Sequence, residues 1–312
     1  MTAIGIDVGG TKCVVSAIDT ESWTVLDTHR FENPGNHKDY IQLIKEKINL
    51  LNIADPESVA ISCGSPMDAK KGIVMAPAHL PDWDNVPVTD IFSDYCRCPA
   101  YLMNDANAGA LAEYYWGAAK DCSDFIFITF GTGFGAGIFC DGRLIEGKTG
   151  MAGEIGHVKI KDSGPVGYGK AGSIEAFCSG GGIASMLQEY AKDNPQEMES
   201  MIEEAGSIEQ LSCKTIADLA RLNDKLAKQF IKEIAHNVGE ALSILIDILN
   251  PERILLGSIY CRTSDLLFKP ILMSMKAHSV PVMGENVSIM PAQLGEEIGN
   301  YACMAILRWK TS

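Results

Sequence analysis

The sequence has few positive charges and no long hydrophobic run, and each shortage argues against a class of function. Its 26 Lys and Arg residues face 40 Asp and Glu residues, which gives a net charge of −14. That balance opposes binding to nucleic acid, since no local basic patch offsets it. The longest candidate for a membrane span, residues 241–256, is interrupted by charged residues and a proline. We therefore expect no nucleic-acid partner and no membrane partner.

The ten cysteines lack the paired spacing that a metal site requires. Only Cys96 and Cys98 lie close together, and no second pair completes a set of ligands. Thiols in this pattern are typical of a reducing compartment. No signal peptide precedes the first strand pattern, so we expect a cytoplasmic protein. A chain of 312 residues with 46% hydrophobic residues is long enough for two cores, which predicts two domains.

Glycine is well supplied, and residues 125–137, FIFITFGTGFGAG, concentrate it after an apolar strand pattern. Glycine lets backbone N–H groups approach an anion closely, so this stretch predicts a turn that holds phosphate oxygens. A plain hairpin turn is the alternative. Near the amino terminus a strand with Asp7 near its end is followed by Gly9, Gly10, Thr11 and Lys12, after which the strand pattern resumes. Two such turns predict a nucleotide held between two lobes.

Neither turn matches the P-loop or the dinucleotide fingerprint, because the glycines of those motifs lead into a helix. Residues 3–8, 12–19 and 23–31 predict a three-stranded meander. Apolar residues at helical spacing from 216 to 242 predict a long buried stripe in two helices, broken near Asn223 and Asp224.

Polar residues at strand ends and in loops are further candidates. Asp105 follows a predicted strand and precedes a helix, so it is either an N-cap or a base that faces a cleft. The irregular segment 72–83, with His79 and Trp83, is either a sugar platform or a surface loop anchored by Trp83. Glu154 and His157 share a glycine-rich loop in which each side chain can grip a sugar hydroxyl.

These motifs together resemble the ROK family, named for repressors, open reading frames and kinases. The resemblance covers almost the whole chain. It rests on GIDVGGTK, NDANAGALAE, FGTGFGAG, GEIGHV, the Glu175 that precedes AFCSG, LNPERILLG and LGEEIG.

The resemblance implies an α/β protein with the two-lobed actin-like ATPase (ribonuclease H-like) fold and a nucleotide and sugar cleft between the lobes. The small lobe would comprise residues 1–118 and about 299–312, and the large lobe residues 119–298. The implied activity is ATP-dependent phosphorylation of a hexose hydroxyl, taken as glucose O6, with Mg²⁺ as cofactor. A homodimer is also implied.

The resemblance assigns the site residues as follows. Asp105 is the base that receives the proton of the sugar hydroxyl. Asp7 holds magnesium through water. The sugar-binding residues are Asn104, Glu154, His157, Glu175, Gly72 and His79. The residues on the nucleotide side are Asp7, Gly9, Gly10, Thr11, Lys12, Gly131, Thr132, Gly133, Gly135 and Gly257.

The chain also departs from the family pattern. Many members bind structural zinc through three cysteines and the histidine of GEIGH, but Val166, Tyr168 and Ser173 stand at the cysteine positions here. We therefore predict no zinc site and a segment held by packing, with Tyr168 filling the space. Ser258 stands where a glycine is usual, which predicts an altered nucleotide contact.

Two alternatives stay open. In the first alternative, the phosphoryl acceptor is an N-acetylated amino sugar, allose, fructose or a β-glucoside, because a few contacts in the sugar loop decide which sugar binds. In the other, from a different class of function, the protein is a non-catalytic sugar sensor.

Overall fold

The computed structural model describes residues 1–77, 80 and 82–311, so His79 lies outside the described residues. The chain divides into two compact units. Unit 1 comprises Met1–Asp121, Gly137–Gly153 and Gln293–Ser312. Unit 2 comprises Cys122–Ala136 and Glu154–Ala292.

The elements are numbered here in chain order. The strands are β1 Thr2–Val8, β2 Lys12–Asp19, β3 Thr24–Glu32, β4 Val59–Cys63, β5 Met67–Asp68, β6 Ile73–Val74, β7 Val86–Pro87, β8 Ala100–Asn104, β9 Phe125–Ile128, β10 Ala136–Cys140, β11 Arg143–Leu144, β12 Val166–Gly167, β13 Lys170–Ala171, β14 Arg253–Leu256 and β15 Ser288–Pro291. The α-helices are α1 His37–Leu50, α2 Val88–Cys96, α3 Asp105–Trp116, α4 Ile174–Cys178, α5 Gly180–Asp193, α6 Glu199–Ala205, α7 Cys213–Arg221, α8 Lys225–Leu249, α9 Ile259–His278, α10 Pro281–Asn286 and α11 Ile298–Thr311.

Unit 1 is built on a five-stranded sheet in the order β3-β2-β1-β4-β8. The predicted meander is confirmed, because β1, β2 and β3 pair in antiparallel fashion. The strands β1, β4 and β8 run parallel, with Val8 opposite Cys63 and Cys63 opposite Asn104. The carboxyl ends of these three strands therefore meet at one edge, where ligands of α/β folds collect.

A small sheet of β5, β6 and β7 corrects one expectation about unit 1. The two prolines of segment 72–83 predict a stretch too irregular for a core element, yet β6 lies within it and Val74 is fully buried. Trp83 is 1% exposed and packs edge-on against Tyr40, with ring centroids 5.5 Å apart. Trp83 is thus a hydrophobic anchor and offers no open aromatic face to a sugar.

Unit 2 contains a parallel arrangement in which β14 lies between β9 and β15. The predicted pair of helices is confirmed as α7 and α8, which are separated at Leu222–Asp224. The sequence after Glu175 predicts one helix over residues 176–190, but Ser179 ends α4 and caps α5 by accepting the amide of Gly182. The helix α9 was not predicted, since Pro270 inside it weakens the helical pattern.

Within residues 1–77, 80 and 82–311, none of the helices is both long enough and apolar enough to cross a bilayer.

Candidate functional site

The first glycine turn joins β1 to β2, and its backbone carbonyls accept hydrogen bonds from side chains elsewhere in unit 1. The amide of Gly9 donates to the carbonyl of Lys12 at 3.0 Å, which closes the turn. The Tyr40 hydroxyl donates to the Gly9 carbonyl, and the Asn33 amide nitrogen donates to the Gly10 carbonyl, both at 2.8 Å. Thr11 and Lys12 are exposed. The turn therefore has a fixed backbone and presents a cation to solvent.

Asp7 lies on β1 just before this turn, in a site that disfavours its charge. Burial raises the pKa of its carboxyl above the ordinary value of 3.8, while a hydrogen bond with Ser62 and the charge of Lys12 oppose that rise. The amino-terminal turn of α11 lies against it, because a Cβ added at Gly299 would collide with Asp7 Oδ2. A half-buried carboxylate in such a site gains free energy from a nearby cation.

Asn104 and Asp105 sit where β8 leads into α3. The N-cap of α3 is Asn104, whose Oδ1 accepts the amides of Ala106 and Asn107 at 2.9 and 3.2 Å. Asp105 is the first residue of the helix, is exposed, and accepts the amide of Ala106 at 2.8 Å. The proposed capping role of Asp105 is therefore wrong. Asn is as good an N-cap as Asp, so the pair Asn-Asp already contained the signal.

Gly72 has a structural reason to be glycine. Its φ is +68°, and a Cβ there would collide with Thr89 Oγ1. The amide of Thr89 also donates to its carbonyl at 3.3 Å. Its predicted contact with the sugar stays a prediction.

The second glycine turn, Thr129–Gly135 in unit 2, is a longer loop with internal bonds. Thr129 and Gly135 close its base through an amide-to-carbonyl bond of 3.0 Å. Phe130 and Phe134 are buried beneath it with their ring centroids 5.4 Å apart. At the amino terminus of α5, the amides of Gly180 and Gly181 donate to the carbonyls of Gly131 and Thr132 at 2.7 and 3.3 Å, respectively.

Glu175 connects this loop to the predicted sugar-binding residues. Its Oε2 accepts the amide of Phe134 at 3.3 Å. A Cβ at Gly133 would lie 3.1 Å from that oxygen, and one at Gly156 would lie 3.3 Å from it. Glycine at position 133 thus makes room for the carboxylate, whereas at position 156 a Cβ would first meet the carbonyl oxygen of Phe134 at 2.8 Å. Glu154 precedes the short 3-10 helix Ile155–His157, and its backbone carbonyl accepts the amide of His157 at 3.1 Å.

Tyr168 completes this cluster. Its ring stands edge-on to that of His157, with centroids 4.9 Å apart, and the residue stays 38% exposed, so its role in filling the space stays a prediction. Burial raises the pKa of its hydroxyl, and the nearby carboxylates Glu154 and Glu175 add to the rise. Unit 2 therefore brings together Glu154, His157 and Glu175.

The other two positions without cysteine also have structural roles. Ser173 caps α4 by accepting the amide of Ala176 at 3.4 Å, and Val166 pairs with Ala171 in the β12–β13 hairpin. In the described part of the chain, no three His, Cys, Asp or Glu side chains are grouped so that they could hold a metal ion. The prediction of a zinc-free segment stays a prediction.

Gly257 and Ser258 follow β14. The amide of Gly257 donates to the carbonyl of Ile128 at 2.9 Å, and a Cβ there would lie 3.3 Å from the carbonyl oxygens of Ile128 and Thr129. Gly257 therefore packs at the base of the second glycine turn. Ser258 has a φ of 44°, in the region that favours glycine.

The unit 1 group comprises Asp7, the first turn, Asn104 and Asp105. The unit 2 group comprises the second turn, Glu154, His157, Glu175 and Gly257. Sequence reasoning missed Tyr40 and Asn33, which hold the first turn, and the amides of Gly180 and Gly181, which hold the second, because each acts from a distant part of the chain.

Comparison with known proteins defines the class of this fold. A solved structure of a ROK family glucokinase from Streptomyces griseus, in complex with glucose and AMPPNP, matches with a TM-score of 0.84 and 28% identity, covering 99% of this chain and 100% of that one. The protein therefore has the two-lobed α/β fold of the actin-like ATPases.

The sequence comparisons identify the family. The ROK family profile matches residues 3–308, so the chain belongs to the ROK family. The glucokinase of Thermotoga maritima is 30% identical over 310 residues, which are 98% of this chain and 96% of that protein. The xylose repressor of Caldicellulosiruptor bescii is 25% identical over 312 residues, covering 97% of this chain and 77% of the repressor. The family thus includes both kinases and repressors among the relatives of this chain.

Proposed function

We propose that the protein is an ATP-dependent sugar kinase that transfers the γ-phosphoryl group of ATP to O6 of glucose. The observation that carries the proposal is the capping of α3 by Asn104, which leaves Asp105 exposed at the carboxyl edge of the parallel strands. A carboxylate at that edge is suited to accept the proton of a bound hydroxyl.

In this proposal the two groups of residues have different tasks. Asp105 accepts the proton from the attacking hydroxyl as the phosphoryl group is transferred. Phosphoryl transfer otherwise needs positioning and charge neutralisation, which the two glycine turns and Lys12 supply through backbone amides and a positive charge. The sugar would be bound by Asn104, Glu154, His157, Glu175, Gly72 and His79, and Gly257 would lie near the adenosine.

Magnesium fits the residues present. Mg²⁺ keeps several waters and is held through one or two carboxylates together with substrate phosphates. Asp7 supplies such a carboxylate, and the burial that raises its pKa makes a neighbouring cation favourable. When bound with ATP, the ion would neutralise phosphate charge. Asp7 would hold it through water and keep it beside the first turn.

Glucose is the proposed acceptor because two of the relatives described above are glucokinases, at 30% and 28% identity. The acidic net charge supports a protein without a nucleic-acid partner. We further propose that the protein is cytoplasmic and that it forms a homodimer. Light scattering after size-exclusion chromatography would test the homodimer.

The test is a coupled ADP-release assay with Mg-ATP and a panel of sugars. The panel contains glucose, mannose, fructose, allose, N-acetylglucosamine, N-acetylmannosamine and a β-glucoside, with a control that lacks sugar. We expect turnover with glucose well above the sugar-free rate. Turnover with a different sugar alone would reassign the substrate and keep the kinase.

A second candidate is a sugar-sensing protein without catalysis, which the similarity to a xylose repressor favours. Folded protein that binds a sugar in calorimetry, yet releases no ADP with any sugar of the panel, would support this candidate and contradict the kinase.

A further inference from the structure

The helix α3 is buried on all sides, which is unusual for a helix of a small domain. Every residue from Ala106 to Glu113 is buried, including the polar Asn107 and the carboxyl-bearing Glu113. A helix buried all round has packing partners on every face. A buried Glu is retained only where its oxygens are satisfied, so the partners of these two polar residues are informative.

The chain passes between the two units after Asp121, Ala136, Gly153 and Ala292. Beside each of these four passages lies a segment of unit 1, which contains Ala118, Gly137, Gly150 or Leu294. Each of these four segments contacts α3.

Glu113 fastens the first and the last of these segments. Its Oε2 accepts the amide of Ala118 at 2.7 Å, and its Oε1 accepts the amide of Leu294 at 3.0 Å. A Cβ at Gly117 would collide with Oε2, so glycine there admits the carboxylate. One buried side chain therefore holds two segments that are distant in sequence, just before the chain leaves unit 1 and just after it finally returns.

The remaining two segments meet the amino-terminal half of α3. Gly137 lies directly on the helix, since a Cβ there would collide with the carbonyl of Ala106 and lie 2.5 Å from the Cβ of Ala110. The side-chain nitrogen of Asn107 donates to the carbonyl of Gly150 at 3.2 Å. Both contacts are made within unit 1.

We propose that α3 is the helix to which all four segments beside the unit connections are attached. Glu113 is the positioning residue that bonds the segments at Ala118 and Leu294 to this helix. The helix begins with Asp105, so the element that carries that carboxylate is also the one to which the connecting segments are bonded. The inference rests on the fold and holds whether or not the protein is a kinase.

Hydrogen exchange of backbone amides, followed by mass spectrometry on the full chain, tests the inference. In Glu113→Gln the side chain keeps one acceptor and gains a donor that faces a backbone N–H. We expect peptides containing Ala118 and Leu294 both to exchange faster, by roughly 10-fold to 100-fold where the amide faces the new donor and by less where it keeps a neutral acceptor. Peptides from β1 and β2 should be unchanged. Glu46→Gln, on the exposed face of α1, is the matched control and should change neither peptide.

A second variant keeps the inference falsifiable if Glu113→Gln does not fold. Gly117→Ala keeps the Glu113 side chain but pushes its carboxylate out of position, because the added Cβ would collide with Oε2. The peptides that contain Ala118 and Leu294 should therefore lose protection. The double variant should show less than the sum of the two effects, because both changes break the same contacts. Unchanged exchange at either segment, additive effects, or an equal rise throughout unit 1 would overturn the proposal. The last result would mean that Glu113 only stabilises the fold.

Discussion

The two glycine turns have similar sequences but are held in different ways. The first, at Gly9–Lys12, continues a ladder in which β1 and β2 pair from Thr2 opposite Asp19 to Val8 opposite Cys13. The second, at Thr129–Gly135, depends on α5 for its carbonyls and on Glu175 for the amide of Phe134. Local strand pairing thus sets the first turn, with Tyr40 and Asn33 added on its carbonyls, whereas the second turn is held mainly by α5 and Glu175.

The turns also differ in charge. The first has Asp7 and Lys12 on its own strands, and burial raises the pKa of Asp7. The second has no charged residue of its own and borrows the carboxylate of Glu175. A turn with a carboxylate on the strand beside it is suited to a metal ion, whereas a turn of amides and hydroxyls is suited to phosphate oxygens.

Neither turn supplies a group that could accept the proton of the sugar hydroxyl. We therefore expect the substitution with the largest effect on turnover to lie outside both turns. Asp105→Asn should lower kcat by roughly 10² to 10⁴, the usual contribution of a positioned base. The fold should persist, because Asn104 retains the cap of α3. Steady-state kinetics together with circular dichroism checks this. Near-normal turnover would remove Asp105 from the mechanism.

Loss of the carboxylate near the first turn should come next in size. Asp7→Asn should lower turnover by roughly 10-fold to 100-fold, the effect typical of a residue that holds a metal through an intervening group. Excess Mg²⁺ should recover part of the activity. Titration of turnover with Mg²⁺ in both proteins measures this, and identical titration curves would contradict the role of Asp7.

A matched pair of substitutions compares the backbones of the two turns. A Cβ at Gly9 would lie 2.7 Å from the carbonyl oxygen of Lys12, whereas at Gly131 the nearest atom would be 3.5 Å away. Gly9→Ala should therefore destabilise the protein by about 1–3 kcal/mol, and Gly131→Ala by less than about 1 kcal/mol. Denaturant unfolding of both variants gives the comparison. Equal losses would show that the two turns are equally constrained.

The raised pKa of Asp7 makes stability depend on pH in a defined direction. A carboxyl with a raised pKa in the fold adds stability at acid pH, and that stability is lost as the pH rises through its folded pKa. At neutral pH without metal, Asp7→Asn should thus have a higher Tm than the natural protein. The difference should shrink as the pH falls towards the ordinary value of 3.8. A lower Tm for the variant at neutral pH would contradict this.

The smallest effect is expected from metal removal near the second turn. With Tyr168 packed on His157 and Ser173 capping α4, we expect a chelator to leave the Tm of the sugar-free protein unchanged. Elemental analysis of the purified protein would measure zinc directly. A stoichiometric zinc content would contradict the prediction.

The first turn and its sheet could be predicted from sequence because the signals are local. Alternating strands, a glycine pair and a resuming strand lie within residues 2–19, and pairing follows from their order. The break between α7 and α8 at Asn223 and Asp224 is local in the same way, since Asp224 caps α8 by accepting the amide of Ala227 at 2.7 Å.

Other features could not be predicted because distant contacts decide them. Trp83 reads as a surface aromatic in an irregular loop, but it is buried because Tyr40 of α1 meets it. Glu113 reads as one more charged residue on a helix, and only the fold brings Leu294 to its carboxylate. The capping by Asn104 was within reach of sequence reasoning, because both residues of the Asn-Asp pair are good N-caps.

The most direct test of the central claim is to identify the product by ³¹P NMR after incubation with glucose and Mg-ATP. We predict one new phosphomonoester signal, coupled to the two C6 protons of glucose, that grows as ADP appears and grows roughly 10²- to 10⁴-fold more slowly with Asp105→Asn. ADP that accumulates with inorganic phosphate and no sugar phosphate, or no change at all in folded protein, would contradict it.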